Sequence, residues 1–539
     1  MATHEVFNQP PPLVDYNLFL GDAALIDGVR REGAAWAEGA LAAFGARLGS
    51  AEAIDWGIAA NRYPPELRAF DRFGHPRDEV VFHPAWHALM ALGIGEGLHA
   101  APWSEPRPGA HVARAAGVLM LVQIESGVQC PITMTYGAVP ALRHDPAIAA
   151  EWLPKILSRR YDPRFRPATE KTGALIGMAM TEKQGGSDLR VNTTRAEGAG
   201  DGVYRLTGHK WFMSAPMCDA FLTLAQAPGG LTCFLLPRWT PDGTLNALRL
   251  MRLKEKLGNR ANASSEIELD GAVARRLGAE GRGIPTIIEM GNHTRLDCAL
   301  GSAGLMRQAV AQAIHHARHR SAFGKTLAEQ PLMANVLADM ALESEAATAL
   351  ALRLARAYDR ADDPLEAAFR RVVTPAAKYW ICKRAPILAA EAMEVLGGNG
   401  YVEESPMPRL YREAPVNSIW EGSGNIMCLD VLRALGRGSG TADAILAELG
   451  LARGGDRRFD GFVARLESEL AASDEARARH LVETIALALQ ASLLIRHAPQ
   501  AVADAFCAGR LSDGIGGAFG TLPAGLDPDA VIRRTAPMS

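Results

Sequence analysis

Glu421 stands in NSIWEGSGNIM (417–427), after a tryptophan, before two closely spaced glycines, with aliphatic residues on both sides. Carboxylates prefer water. An acid in such a turn is either a solvated loop residue or a general base whose pKa has been raised by its surroundings. Four other stretches carry chemistry by residue type. MAMTEKQGGSDL (178–189) places the hydroxyls and backbone N–H groups of a Gly-Gly turn beyond an apolar run. A hairpin with a polar tip is the plainer reading. In GHKWFMSAP (208–216), Trp211 and Phe212 project to opposite faces of a strand, so one packs inward while the other can cover a flat ligand. A core ring beside an exposed one is the simpler case. HHARHRSAFGKT (315–326) ends a basic helix at Arg320 beside a Phe-Gly turn, which suits an anion such as a pyrophosphate. His315 and His319 share a helix face, but no carboxylate or cysteine joins them at a ligand spacing, so no metal is expected. EVLGGNGYVEE (394–404) closes a helix with Gly397, Gly398 and Gly400. A C-cap needs one glycine, and three suggest a closely approaching backbone or ligand.

These stretches must be positioned by a sizeable scaffold. The chain has 539 residues, 48% hydrophobic and 22% charged, enough for a large core. A net charge of −3 gives no bulk attraction to nucleic acid or membrane, though it leaves room for a local patch. Seven scattered cysteines, an odd number with no C-x-x-C pair, argue against a disulfide framework or zinc ribbon and fit a reducing cytoplasm. MATHEVFNQPPPL lacks a basic region followed by an apolar run, so no signal peptide is expected. Apolar runs such as IALALQASLLI (485–495) are too short to span a bilayer, so no membrane partner is expected.

The pattern predicts a mainly α protein with a central antiparallel β domain. Residues 1–20 read as a polar, proline-rich arm, and 21–175 as an Ala-rich helical domain broken by Pro and Gly clusters. Short apolar runs with glycine turns between them mark 176–282 as the β domain. Helical spacing returns over 283–437, with long helices expected at 285–320, 331–360 and 365–396. The Gly-rich GRGSGTAD (436–443) introduces a last helical domain over 438–539.

In their order and spacing the five stretches resemble the acyl-CoA dehydrogenase family of flavoproteins over residues 80–435. The family's signatures look like TE..GSD, G.K.WIT, R..FG, Q..GG.GY and YRD......YEGT. MTEKQGGSD, GHKWF, KLGNR, RLYRE, VNSIWEGSGNIMCLDVLR and the extra C-terminal segment are similar to its AidB branch, flavoproteins of the bacterial adaptive response to DNA alkylation. The resemblance implies a helical domain, a β domain and a four-helix domain, with FAD held between them and against a neighbouring subunit of a homotetramer. It places the flavin ring on Met178, Met180, Thr181, Gly186 and Ser187. Phe212 takes the position of the ring-covering Trp, followed by Met213 and Ser214. Arg320 and Phe323 would meet the FAD of another subunit, and Gly397 and Gly398 would admit its adenine end. Ile419, Gly422, Ser423 and Asn425 would complete the cofactor contacts around Glu421.

By the same resemblance Glu421 removes the α-proton of an acyl-CoA thioester while hydride passes to the flavin, an activity expected to be weak and directed to short branched acyl groups. Trp420 and Ile419 would bury the carboxylate and raise its pKa. The family's other base position falls on Thr294, which cannot serve. Two positions depart from the pattern. Pro331 and Glu394 stand where the family has glutamines on the adenosine half, with a glutamine one place early at Gln330. The AidB branch also implies double-stranded DNA as a partner of the C-terminal segment, and a flavoprotein that protects DNA from alkylation. Residues 441–539 hold ten Arg, no Lys and thirteen Asp or Glu, so phosphate contact would need a local patch from RGGDRR (453–458), RAR (477–479) or RR (533–534). A scaffold with a vestigial flavin is the third reading.

Overall fold

A computed structural model describes residues 3–436, 440–471, 474–512 and 517–538. The linker expected at 436–443 and the domain boundary placed at 437/438 fall partly on 437–439, outside the described residues. Two compact units are present. One comprises Asp55–Pro106 and Glu125–Asp297, and the other Met1–Ile54, Arg107–Ile124 and Cys298–Ser539.

The first unit is built on a seven-stranded sheet of β1 (Ile176–Ala179), β2 (Arg195–Gly200), β3 (Val203–Ser214), β4 (Ala220–Ala227), β5 (Gly230–Pro237), β6 (Leu248–Leu253) and β7 (Ser264–Leu277), beside a separate hairpin of Glu66–Phe70 and Pro76–Val81. Their order is β1-β3-β2-β4-β5-β7-β6, and added pairings of β1 with β4 and of β3 with β7 close the sheet on itself. Most pairings are antiparallel, as the short hairpin turns dictate. β1 instead runs parallel to β4, with Ile176 beside Ala220, because a long excursion separates them. Alternation along β3 sends Tyr204, Leu206 and Lys210 inward and Arg205 and Thr207 outward. Between Lys210, opposite Ile267, and Met213, opposite Ser265, β3 carries one residue more than β7. This bulge at Trp211 and Phe212 resets the alternation, so Met213 is again buried while Phe212 is exposed and Trp211 half-buried. The expectation that one of the two rings packs inward is therefore corrected, for a reason that depends on register with a distant strand.

The second unit is helical. Its main helices are α1 (Ala110–Ile124), the end of α2 (Gly283–His319), α3 (Pro331–Asp359), α4 (Pro364–Val395), α5 (Gly424–Leu435), α6 (Thr441–Gly450), α7 (Arg457–Ala471), α8 (Ala478–His497), α9 (Gln500–Arg510) and α10 (Pro528–Thr535). α2, α3 and α4 match the three expected long helices to within two residues. Pro331 and Pro364 sit at the first helical positions, and the Asp363 carboxylate accepts from Leu365 N–H (2.9 Å) to start α4. α3 is rich in Ala and Leu and is buried on every side over its middle turns. Three of its buried charges are ion-paired to other segments. Glu343 meets Arg384 and Arg510, Glu345 meets Arg534, and Arg353 bridges Glu366 and Glu448. Arg510, Arg534 and Glu448 come from the C-terminal segment, so ion pairs fasten that segment to α3.

α8 carries the apolar run judged too short for a bilayer. The whole helix has 20 residues, long and apolar enough to cross one, yet 78% of its most apolar window is buried inside the protein. It is a core helix. All seven cysteines are buried free thiols.

Candidate active site

The sequence motifs occupy two surfaces, one in each unit. In the first unit β1 runs out at Met180 and Thr181, whose carbonyls accept from Asn192 Nδ2 (3.0 Å) and Trp211 N–H (2.8 Å). Met178 is buried, Met180 and Thr181 are half-buried, and Ser187 is exposed. A Cβ on Gly186 would lie 2.4 Å from Thr181 Oγ1, so only glycine lets the loop close over that hydroxyl. The anchor of this surface is an ion pair between two motifs. Lys210 Nζ donates to the Glu182 carboxylate (2.8 Å), and both side chains are fully buried. Glu182 also accepts from the N–H and hydroxyl groups of Thr193 and Thr194. Burial opposes ionisation of Glu182, but Lys210 and these donors outweigh it and hold the carboxyl well below the usual range. Both residues stand in the quoted motifs, but neither motif by itself reveals that they pair.

Above that anchor, Lys254 Nζ lies 3.3 Å from the Trp211 ring centroid and 4.6 Å from that of Phe212. Ser214 pairs with Met178 across the sheet, and its hydroxyl is 3.5 Å from that of Ser264. Met213 is turned into the barrel, so it can meet a ligand only through its backbone. Thr294 is buried, with its hydroxyl on the Gly291 carbonyl (3.0 Å).

In the second unit Glu421 is half-buried and holds φ at 59°, a left-handed conformation that side chains rarely adopt. Gly422 follows at φ 105°. The turn is fixed from below by Lys378, a buried residue of α4 whose ammonium donates to the Gly422 carbonyl (2.8 Å). α5 starts two residues on, with Ser423 at its N-cap and no acid in its first turn. Asn425 Oδ1 accepts from Arg479 Nε (2.8 Å), which brings α8 to the same turn. The expected burial is met only in part. Trp420 folds back so that its Nε1–H donates to Asn417 Oδ1 (3.1 Å), which leaves Ile419 facing outward, 64% exposed.

Arg320 leads into a two-residue hairpin, Ser321–Ala322 with Lys325–Thr326, whose tip is Phe323 (φ 52°) and Gly324 (φ 79°). Such turns favour Asn or Asp first, so a Phe there is strained, and it is 98% exposed. Arg320 has no carboxylate partner among the described residues; its guanidinium donates to the Asn8 carbonyl (2.5 Å). Gly397 and Gly398 lie in open space, with nothing of the chain within 4 Å of an added Cβ. Gln330 donates to the Ala322 carbonyl (3.1 Å), and Glu394 is exposed. His315 Nε2–H donates to the Pro11 carbonyl (2.8 Å), and among the described residues no His, Cys, Asp or Glu cluster is placed to hold a metal.

These features fit a flavin dinucleotide. An unneutralised Arg suits a pyrophosphate, exposed rings suit a flat heterocycle, and open glycines leave room that the chain does not itself use. Lys378 is the residue the sequence reading missed. Its signal was a single charge inside the apolar run TPAAKYWIC of a long helix.

The class that results is a flavin-dependent oxidoreductase acting on a CH–CH group. Family models match as follows: the adaptive response protein AidB N-terminal domain over residues 8–163, the acyl-CoA dehydrogenase middle domain over 177–272, and the acyl-CoA dehydrogenase C-terminal domain over 281–436. The chain belongs to the acyl-CoA dehydrogenase family, and FAD is its cofactor. It is 52% identical over 507 residues to the putative acyl-CoA dehydrogenase AidB of Escherichia coli, covering 94% of each chain. It is 33% identical over 499 residues to acyl-CoA dehydrogenase family member 11 of Caenorhabditis elegans, covering 85% of this chain and 80% of that one. The structure of Caenorhabditis elegans ACDH-11 in complex with C11-CoA superposes with a TM-score of 0.87 at 29% identity, covering 95% of this chain and 94% of that one.

Proposed function

We propose that Glu421 is the general base of an acyl-CoA dehydrogenation. Its carboxylate takes the α-proton of the thioester, hydride leaves the β-carbon, and a 2-enoyl thioester results. FAD, when bound, accepts that hydride. The observation that carries the reading is the left-handed Glu421, gripped through its neighbour's carbonyl by a buried ammonium. Strain of this kind persists only where the surroundings impose it, and it collects at functional sites. A thioester α-proton is far less acidic than a carboxylic acid, so the enolate needs stabilising and the base needs strengthening. Lys378 and the N-terminus of α5 make the turn positive, which favours the enolate oxygen. The strengthening would come from water leaving when substrate covers Ile419 and Glu421.

In this reading Met178, Met180, Thr181, Gly186, Ser187, Phe212, Ser214 and the backbone of Met213 take the flavin ring. Ile419, Gly422, Ser423 and Asn425 contact the cofactor near the base, and Arg320, Phe323, Gly397 and Gly398 serve its adenosine half in a homotetramer. The exposed Phe323 supports the oligomer, which light scattering would measure. We assign short branched acyl-CoA as substrate, and the C11-CoA in the nematode relative's title makes a medium-chain thioester the competing case. Glu421→Gln tests the base: bound FAD should be retained and its bleaching by a panel of acyl-CoA thioesters lost. A fully active variant would end the assignment.

The match to the adaptive response model favours a second reading, a cytoplasmic flavoprotein that binds double-stranded DNA and answers alkylation damage. Six arginines of the C-terminal segment are ion-paired within the chain and Arg479 is hydrogen-bonded to Asn425, whereas among the described residues Arg457, Arg465 and Arg533 have neither kind of partner. A gel-shift series over salt decides it, and no shift at low ionic strength would remove DNA as a partner. If acyl-CoA also failed to bleach the flavin, a scaffold role would remain.

A further inference from the structure

Residues 3–20 contain no helix or strand, yet the middle of this arm is bound at three places in the second unit. Asn8 holds φ at 56°, and its amide clamps the hairpin backbone. Oδ1 accepts from Ser321 N–H (2.7 Å) and Nδ2 donates to the Ser321 carbonyl (2.8 Å). The Asn8 carbonyl takes the Arg320 guanidinium, and the Pro11 carbonyl takes His315. Gln9 Oε1 lies 3.5 Å from Asn399 Nδ2, inside the Gly397–Gly400 turn. The arm therefore links the Arg320 hairpin to the glycine turn, the two segments read above as the adenosine end of the FAD site. Exposed apolar side chains gather on the same segments: Phe7 (77%), Phe323 (98%) and Tyr401 (81%). The family's two polar side chains for that half are missing. Pro331 has no side-chain donor, and the neighbouring Gln330 is committed to the Ala322 carbonyl. Glu394 would present a carboxylate, which repels a pyrophosphate.

We propose that the N-terminal arm, through Asn8 and Gln9, completes the surface that binds the adenosine diphosphate half of FAD, Asn8 by positioning Arg320 and Gln9 by supplying an amide where the glutamines are absent. This rests on the assignment of Arg320, Gly397 and Gly398 to the cofactor, and is independent of Glu421. An Asn is well chosen for Asn8, since it tolerates a left-handed backbone and offers both a donor and an acceptor.

The test uses full-length apoprotein, titrated separately with FAD, ADP and FMN and followed by flavin fluorescence or calorimetry. Asn8→Gly keeps the backbone conformation and removes the clamp. It should weaken FAD and ADP about tenfold, the effect of losing one or two hydrogen bonds, and leave FMN unchanged. Asn8→Asp keeps the acceptor for Ser321 N–H and should recover part of the loss. Gln9→Ala should weaken ADP without altering hairpin protection in hydrogen exchange. FAD and ADP affinities of Asn8→Gly within twofold of the parent would overturn the proposal, as would an equal loss for FMN. A loss that tracks subunit dissociation and disappears at high protein concentration would also overturn it, in favour of a contact between subunits. If Glu421 is not the base, all three affinities stay as they are, so the two assignments fail separately.

Discussion

Replacing Lys378 with methionine isolates the device that holds Glu421 in place. Lys378 is 1% exposed, and its ammonium is 2.8 Å from the Gly422 carbonyl. A hydrogen bond to a charged group contributes about 1.5–3 kcal/mol, while a left-handed side-chain residue costs about 1–2 kcal/mol. With the grip gone, the turn is left to relax by roughly 1–2 kcal/mol, which is a factor of about 5–30 in the population with Glu421 poised. Methionine fills a similar volume and removes a buried charge, so global stability should change little. The expected signature is split: kcat down about 5–30-fold, FAD retained, the unfolding midpoint close to that of the parent, and faster amide exchange confined to residues 419–425. Single-turnover flavin bleaching by acyl-CoA gives the rate, and visible absorbance gives the flavin content. Unchanged bleaching and unchanged exchange would refute the reasoning, because the turn would then be held by its own backbone.

Other consequences follow from paired and buried charges. Lys210→Met strands the buried Glu182 carboxylate and should cost about 3–5 kcal/mol in denaturant unfolding, most of which the double variant with Glu182→Met should recover. Because the folded pKa of Glu182 is depressed, its stabilisation is present above the unfolded pKa and lost as pH falls, so Lys210→Met should also flatten the acid limb of the stability profile. Asp359 has the opposite sign. Burial pushes its carboxyl up to about 6, against the pull of the His111 and Val112 N–H groups. Its contribution is complete below an unfolded value of about 4 and is lost as pH rises through about 6, so Asp359→Asn should reduce the fall in unfolding free energy across that window. If duplex DNA binds through Arg457, Arg465 and Arg533, the slope of log K against log salt should be about −3 per chain, and an Arg533→Ala variant should lower it by about one.

Much of the architecture could be read from order and punctuation. α2, α3 and α4 announce themselves through long 3.6-residue periodicity bounded by Pro331 and Pro364, because a helix satisfies its own backbone and needs only local information. The strands of the barrel were likewise marked by glycine turns, but not the parallel β1–β4 pairing, which no local turn encodes. The bulge at Trp211 and Phe212 exists only in register with β7, so alternation alone misjudged the ring expected to pack inward.

The candidate site divides in the same way. Residue types and their spacing singled out Glu421, Arg320, Phe323 and the paired glycines, since a base, a cation and open backbone are properties of individual positions. What holds them was hidden. The Lys378–Gly422 bond joins residues 44 apart, the Glu182–Lys210 pair residues 28 apart, and the Asn8 clamp residues 313 apart. The exposure of Ile419 and the engagement of the C-terminal arginines with α3 were equally beyond reach. Sequence by itself determined which groups are available and the helical and strand segments that carry them. Tertiary structure alone decided which charges are neutralised, which backbone is strained and what supports it, because burial and long-range pairing arise only when distant segments share one dielectric and one packed volume.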